Sequence, residues 1–262
     1  MYGGRLYRCD GTIQGNTIFA NWADYRGGGL DDCLATIRNN TITGNWATWH
    51  GGGLYACDGT IQNNTIIANS AGYCGGGLDY CAGAIHNCII WANRATYGPQ
   101  LYDSSVPTHS CIIDWTGEGE GNIAEQPRFV HPDNGDFRLF PSSPCIDAGD
   151  NNVSDLPDTD IAGMHRIMYG GKTLTVDMGA YEYYINDVDL GATAAEATLT
   201  WSSWGDKTYS VFYSEDLVTW RLADENLPSD GFETTSWIDD GSKTGDSPSL
   251  VARRFYRILE NP

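Results

Sequence analysis

The strongest constraint on the fold is a strict repeat of 24 residues in the first part of the chain. Glycine clusters recur at residues 3–4, 27–29, 51–53 and 75–77. A unit of this length, made of runs of about five residues broken by Gly or Asn, fits one coil of three short strands. Because each coil rises by about one strand spacing, like residues stack along the axis. The stacked apolar columns, which form the predicted core, are Leu6, Leu30, Leu54 and Leu78; Ile13, Ile37, Ile61 and Ile85; Ile18, Ile42, Ile66 and Ile90; and Ala23, Ala47, Ala71 and Ala95.

Composition and charge narrow the function classes. Thirty-two glycines and only 19% charged residues indicate a β-rich, turn-rich protein rather than a helical or disordered one. The formal net charge of -19 disfavours nucleic acid and anionic membrane surfaces as partners. No run approaches the roughly 20 apolar residues of a membrane-spanning helix. The sequence therefore predicts neither nucleic-acid binding nor membrane insertion.

Two asparagine columns follow the same repeat. They consist of Asn21, Asn45, Asn69 and Asn93, and of Asn39, Asn63 and Asn87. Stacked amides hydrogen-bond from coil to coil, and Asn tolerates the left-handed backbone of a sharp corner. We therefore interpret both columns as structural ladders and expect no glycans at the sequons of Asn39 and Asn63.

Several segments carry a resemblance to a known class of proteins. They are the 24-residue coils and residues 87–93, 98–102, 127–130, 135–139, 143–149 and 177–183. In combination they resemble secreted bacterial right-handed parallel β-helix repeat proteins, a superfamily that includes pectate lyases, polygalacturonases and non-catalytic surface proteins. The resemblance implies an all-β fold, a right-handed parallel β-helix, and an extracellular or cell-surface location.

A domain plan follows from these segments. We predict parallel β-helix coils over residues 1–126, a closing or cap segment of the β-helix over 127–185 and a polar linker over 186–196. Alternating strand patterns over 197–262 predict a small β-sandwich. Its segments 209–220 and 254–258 resemble the fibronectin-like or immunoglobulin-like tail modules of secreted bacterial proteins, which are usually adhesive or spacer units.

The cysteines suggest disulfides. Four of the eight, Cys9, Cys33, Cys57 and Cys81, are spaced by 24 residues. Stacking places their Cα atoms about 4.8 Å apart, within the range that a disulfide spans. Pairs of Cys9 with Cys33, of Cys57 with Cys81 and of Cys88 with Cys111 are therefore possible. The alternative is that buried cysteines serve as small apolar core residues.

Catalysis on this fold requires particular residues on the coils. Lyases of this superfamily need a Lys or Arg base, yet the first lysine is Lys172 and the arginines form no motif. Glycan hydrolysis needs facing carboxylates, but Asp31 and Asp79 alternate with Tyr7 and Tyr55 in one column. The sequence thus shows no recognisable lyase or hydrolase constellation, and we do not predict catalysis.

Outward aromatic columns favour binding. The candidate carbohydrate-binding residues are Trp22, Tyr25, Trp46, Trp49, Tyr73 and Tyr97, which lie just before the glycine clusters. Aromatic rings stack on the apolar faces of sugars, and the adjacent glycines leave room for a chain. The alternative is that the rings only stack on each other and stabilise the solenoid.

The loop of residues 147–160 is rich in aspartate. Asp147, Asp150, Asp155, Asp158 and Asp160 supply the oxygen ligands that calcium prefers, so this loop is a candidate calcium site. The spacing is not that of an EF-hand, and a solvated loop is the alternative. Five scattered histidines form no metal-binding spacing.

The sequence favours a non-catalytic extracellular protein with a structural or adhesive role. Because Met1 is followed at once by the middle of a repeat unit, we expect an open strand edge at the first coil. Further coils or end-to-end stacking of copies into filaments would cover that edge. A carbohydrate-binding surface protein is the alternative, and a polysaccharide lyase or hydrolase ranks third.

Overall fold

The computed structural model describes residues 6–167, 174–183, 189–193, 196–203, 207–230, 234–251 and 253–261. The chain divides into two compact units. Described residues up to Tyr183 belong to the first unit, and those from Asp189 onwards belong to the second. Strands and two single 3-10 turns, Pro132–Asn134 and Pro248–Leu250, are the regular elements of the described residues.

The first unit is a solenoid of four parallel sheets. The first sheet contains Leu6–Tyr7, Leu30–Asp31, Leu54–Tyr55, Leu78–Asp79 and Leu101–Tyr102. The second contains Thr12–Gln14, Thr36–Arg38, Ile61–Gln62 and Ile85–His86. The third contains Thr17–Phe19, Thr41–Thr43, Thr65–Ile67, Ile89–Trp91 and Cys111–Ile112. The fourth contains Trp22–Ala23, Trp46–Ala47 and Ser70–Ala71.

Register in these sheets confirms the stacked columns. Ile37 pairs with Ile13 and Ile61, and Leu54 pairs with Leu30 and Leu78, so the first four coils keep the spacing of 24 residues. The Leu and Ile columns form one buried cluster along the axis. Each fully buried side chain of this size stabilises the fold by about 1.5–3 kcal/mol. The all-β fold class predicted from the repeat is therefore confirmed.

Each of the first three coils contains four short strands rather than the predicted three. The extra break falls between the third and fourth sheets, at a column of residues with left-handed backbone: Ala20, Gly44, Ala68 and Ala92. A positive φ turns the chain and interrupts strand pairing. Three of the four residues are alanine, which gives no turn signal in the sequence.

The sequence predicted an amide ladder and a left-handed backbone for both asparagine columns, but each column shows only one of these features. The amide of Asn21 donates to Asn45 Oδ1 at 2.8 Å, and that of Asn45 to Asn69 Oδ1 at 2.9 Å. Asn69 donates in turn to Asn93 Oδ1 at 3.0 Å. This column is a ladder, as predicted. The left-handed backbone belongs instead to the other column, with φ of 53° at Asn39 and neighbouring values at the stacked positions.

The second asparagine column, Asn39, Asn63 and Asn87, binds the closing segment and does not form a ladder. The ladder prediction for this column is wrong. Asn39 donates to Thr159 O at 2.5 Å, and Asn87 donates to Asp150 O at 3.0 Å. Asn63 lies 3.5 Å from Asp177 O. Their left-handed backbone points the amides outward, where they bind the closing segment. The second stacked amide ladder is formed one position later, by Asn16, Asn40 and Asn64.

Close backbone approach explains the glycine clusters. A Cβ on Gly52 would lie 2.5 Å from the carbonyl oxygens of Gly76 and Ser70, and one on Gly76 would lie 2.4 Å from Arg94 O. A side chain has no space at these positions, so neighbouring coils meet there backbone to backbone.

The closing segment packs on the outside of the coils. It contains an antiparallel hairpin, Phe129–His131 with Asp136–Leu139, and its Leu139 and Ile146 form an outer apolar cluster with Ile89 of the third sheet. Arg166 is fully buried and donates to Glu182 Oε1 at 2.7 Å and to Asn39 Oδ1 at 2.5 Å. A buried charge needs such partners, so Arg166 ties the segment to the coils.

The second unit is a sandwich of two antiparallel sheets. One contains Asp189–Ala192, Ala197–Ser202 and Thr234–Asp239, and the other contains Arg221–Pro228, Thr208–Ser214 and Phe255–Glu260. Residues of both sheets share one core, which includes Leu199, Trp201, Tyr209, Val211, Trp237 and Ile258. The strand at 189–192 lies inside the predicted linker and pairs with the next strand. Residues 186–188 and 194–195 of that linker lie outside the described residues.

The asparagine ladder generates a stability prediction. The Asn69 amide donates to Ile42 O and Asn93, and its Oδ1 accepts from Asn45. We expect Asn69→Ala to lower the free energy of unfolding by about 2–4 kcal/mol, because buried polar groups lose their partners. Asn16→Ala, at the exposed end of the other ladder, is the matched control and should cost less than about 1 kcal/mol. Equal losses in denaturant titrations would contradict this role.

Candidate functional site

The aromatic strip is the set of six rings predicted to bind carbohydrate: Trp22, Tyr25, Trp46, Trp49, Tyr73 and Tyr97. The structure brings them together along one side of the solenoid: Trp22 and Trp46 lie on the fourth sheet, and the other four lie at the corner between this sheet and the glycine clusters. All six remain exposed, with relative solvent exposure between 36% and 57%. Trp22 and Trp46 point outward because the alanine that follows each of them points into the core.

The two tryptophans of the strip stack on each other. Their ring centroids lie 5.7 Å apart and their planes differ by 9°. Such a pair covers one face of each indole, so mutual stacking is part of their role. Both indoles stay partly exposed to solvent, Trp22 at 57% and Trp46 at 36%.

The corner rings meet in a different geometry. Trp49 and Tyr73 lie 6.5 Å apart at 65°, and Tyr73 and Tyr97 lie 5.1 Å apart at 75°. Edge-to-face contacts leave more ring area open than parallel stacking does. Beside them the glycine clusters at 27–29, 51–53 and 75–77 are buried, and the space next to them is filled by neighbouring coils rather than left for a ligand chain.

A polar cluster that the sequence did not predict lies next to the strip. His50 Nδ1 is 2.9 Å from Asp79 Oδ2. Arg26 Nε is 3.7 Å from Asp31 Oδ1, and the Arg26 guanidinium lies 4.7 Å from the Tyr55 ring centroid. The sequence placed Asp31, Tyr55 and Asp79 in one column. The missed signal was that Arg26 and His50 occupy the repeat position immediately before the glycine clusters.

The two aspartates of the polar cluster are fully buried. Burial raises the pKa of Asp31 to about 6, an effect that Arg26 partly offsets. Burial also raises the pKa of Asp79, against the hydrogen bond of His50. Neither Asp31 oxygen accepts a hydrogen bond from a described residue.

This geometry assigns a supporting role to the aspartates. A glycan lying on the surface cannot reach the buried carboxyl groups, so they hold Arg26 and His50 in place instead. The side chains of Arg26 and His50 are close to 30% exposed and present polar groups at the border of the strip. The arrangement is suited to hydrogen bonding of a ligand rather than to proton transfer by paired carboxylates.

The candidate calcium ligands do not converge. Asp160 accepts from three backbone N–H groups, those of Ala162, Met164 and Glu182, and Asp150 accepts from Asn152. No group of three or more His, Cys, Asp or Glu among the described residues is placed to hold a metal ion. Asp147, Asp155 and Asp158 contribute backbone contacts to the closing segment. Calcium binding by this loop stays a prediction without a formed site.

All eight cysteines are free thiols in the structure. The column of Cys9, Cys33, Cys57 and Cys81 is confirmed, and neighbouring thiols in it lie close enough to shift each other's pKa. Since Cys57 contacts both Cys33 and Cys81, the geometry does not select one pairing. The two disulfides predicted in this column stay predictions.

The proposed pairing of Cys88 with Cys111 does not fit the structure. The last coil is shorter, so Cys111 pairs in register with Ile89 rather than with Cys88. A shift of one residue moves a side chain to the opposite face of a strand. Cys88 therefore lies in the inner cluster, while Cys111 lies in the outer one.

The comparisons with known proteins define the class of the first unit. Residues 2–121 match the model of a family described as a right handed beta helix region. With the parallel coils, this match shows a right-handed parallel β-helix repeat, as predicted. The closing segment after residue 126 and the second unit lie outside the matched range. No curated protein and no solved structure matches the chain.

Two further expectations concern surfaces. Within the part of the chain that the structure describes, no helix is long and apolar enough to cross a membrane. Residues 1–5 lie outside the described residues, so the strand edge expected at the start of the first coil is not described. End-to-end stacking stays a prediction.

The raised pKa of Asp31 generates a prediction about pH. Its ordinary value of 3.8 rises to about 6 in the folded chain. Stability from this group is fully present below 3.8 and is lost as pH rises through about 6, because the unfolded chain ionises first. We expect wild type to lose on the order of 2–3 kcal/mol, relative to Asp31→Asn, between about pH 4 and about pH 7. Denaturant titrations at constant ionic strength test this, and parallel pH profiles would contradict it.

Proposed function

We propose that this protein is a non-catalytic adhesive protein that binds a polysaccharide chain along its aromatic strip. The observation that carries the proposal is the exposure of six aromatic rings in register along one corner of a rigid solenoid. Isolated exposed rings are ordinary on protein surfaces, but a continuous exposed apolar strip is typical of an interaction site.

The geometry of the strip suits an extended chain. Rings recur once per coil, so successive sugars of a chain that runs along the axis meet successive rings. Arg26, His50 and the tyrosine hydroxyls supply hydrogen-bond partners at the borders of the strip. A ligand site commonly combines apolar contacts with a few such polar groups.

The other outward faces support the same choice of surface. In the first unit the closing segment contacts the second sheet through Arg38 and Gln62, which donate to Asp155 O. It contacts the third sheet through Thr65, whose hydroxyl accepts from Ala180 N–H. The corner that bears the aromatic strip keeps its rings exposed.

Charge favours a neutral glycan as the ligand. The net charge of -19 repels polyanions at long range. Neutral chains carry no such penalty and depend on ring stacking and hydrogen bonds. This role requires a location outside the cell or at its surface, which agrees with the resemblance of the coils and the closing segment to secreted bacterial β-helix proteins.

Replacement of two central rings tests the proposal. We expect the double variant with Trp49→Ala and Tyr73→Ala to lose affinity for a neutral polysaccharide by roughly tenfold or more, because each stacking contact contributes about 0.5–1.5 kcal/mol. Affinity electrophoresis in gels that contain soluble neutral or uronate polysaccharides measures the loss.

Phe19→Ala is the matched control for this experiment. Phe19 is 59% exposed but lies on the third sheet, outside the aromatic strip. Its replacement should leave retention and melting temperature unchanged. Wild type that is not retarded by any polysaccharide, or a double variant retarded as strongly as wild type, would refute binding along the strip. A large fall in the melting temperature of the double variant would show that the rings act mainly in stability.

A further inference from the structure

Two buried thiols meet where the closing segment covers the last coil. Cys111 lies in the final strand of the third sheet, and its register with Ile89 turns its side chain away from the solenoid interior. Cys145 lies in the closing segment, outside the matched β-helix range. Both are fully buried in the outer apolar cluster, together with Ile89 and Met178.

The surroundings hold both residues in place. The Cys145 N–H donates to Ser143 Oγ at 3.2 Å, and the Cys145 carbonyl accepts from Met178 N–H at 3.0 Å. The Cys111 thiol donates to Glu125 O at 3.2 Å. The two side chains belong to the same buried cluster. Besides burial, the nearby Cys111 thiol raises the pKa of the Cys145 thiol, so the two thiols are neighbours in the reduced protein.

Cys88, by contrast, is separated from this pair. Its thiol lies on the inner side, 3.1 Å from His86 O and 3.6 Å from Ile61 O, and its N–H donates to Ser110 Oγ. A disulfide with Cys111 would need the strand to turn over, which the stacked register prevents.

We propose that Cys111 and Cys145 form a disulfide that fastens the closing segment to the last coil. The oxidant is a small-molecule disulfide such as oxidised glutathione, which exchanges with the two thiols. One S–S bond forms in the protein and one breaks in the oxidant; the two protein thiols lose two protons and two electrons, and the oxidant is reduced to two thiols.

The bond would link residues 34 positions apart in the sequence. It restricts the unfolded chain and prevents the closing segment from leaving the outer cluster. Burial raises the pKa of the Cys145 thiol, which disfavours the reactive thiolate in the folded protein. Oxidation is therefore expected while the segment is still open, during folding.

Peptide mapping of the full chain tests the assignment. The chain is refolded in a buffer of reduced and oxidised glutathione, unfolded in the presence of N-ethylmaleimide and digested with trypsin without reduction. Cleavage at Arg94, Arg128, Arg138 and Arg166 places Cys111 in the peptide 95–128 and Cys145 in the peptide 139–166. We expect these two peptides to be linked. A link between 95–128 and 39–94, which contains Cys88, or maleimide on both Cys111 and Cys145, would overturn the proposal.

A stability measurement gives a second, independent readout. Reduction of the oxidised wild type should lower its melting temperature by roughly 5–10 °C. The Cys145→Ser variant, treated in the same way, should show a clearly smaller change, since only the other cysteines can respond. An equal change in both proteins would count against the bond. The mapping experiment uses wild type alone, so it decides the question even where the variant fails to fold.

Discussion

The structure depends on one constraint: each coil must lie directly on the coil below it, residue upon residue. Parallel hydrogen bonds fix the axial spacing, and the constant unit length keeps the side chains in register. The buried amides of Asn45 and Asn69 stabilise this stack, since each forms hydrogen bonds with the coil above and with the coil below. At the glycine clusters the coils approach so closely that a Cβ at Gly52 would collide with the backbone of the next coil. A change of unit length changes which residues of the sequence stack on each other.

The last coil shows the effect of such a change. Because it is shorter, Cys111 faces outward under the closing segment, whereas Cys88 faces the interior. The same segment accepts hydrogen bonds from the stacked amides of Asn39, Asn63 and Asn87, and its Arg166 is buried against Glu182. A β-helix has two ends and several outward faces, and this segment covers two of those faces in a way that leaves the aromatic corner open.

That corner combines two kinds of chemistry. The rings supply apolar faces, and the polar cluster beside them supplies Arg26 and His50, supported from beneath by buried carboxyl groups. The burial of Asp31 and Asp79 separates this arrangement from a pair of catalytic carboxylates, although two acids on alternate coils share one column. Under the proposed function, this array of rings with polar borders would bind a long polymer.

The repeat by itself determined the solenoid, its core columns, the cysteine column and the aromatic strip, because identical spacing places identical residues one above another. It also indicated the strand-rich second unit from alternating patterns. Only the tertiary structure decided which asparagine column forms a ladder, because Asn39 and Asn45 have the same spacing and differ only in the backbone at the turn. The partners of Cys111 and His50 were likewise decided by tertiary structure. Cys145 comes to Cys111 from a distant segment, and Asp79 comes to His50 from the next coil. Contacts along a column follow from the period, whereas contacts across columns and between segments depend on how the chain turns.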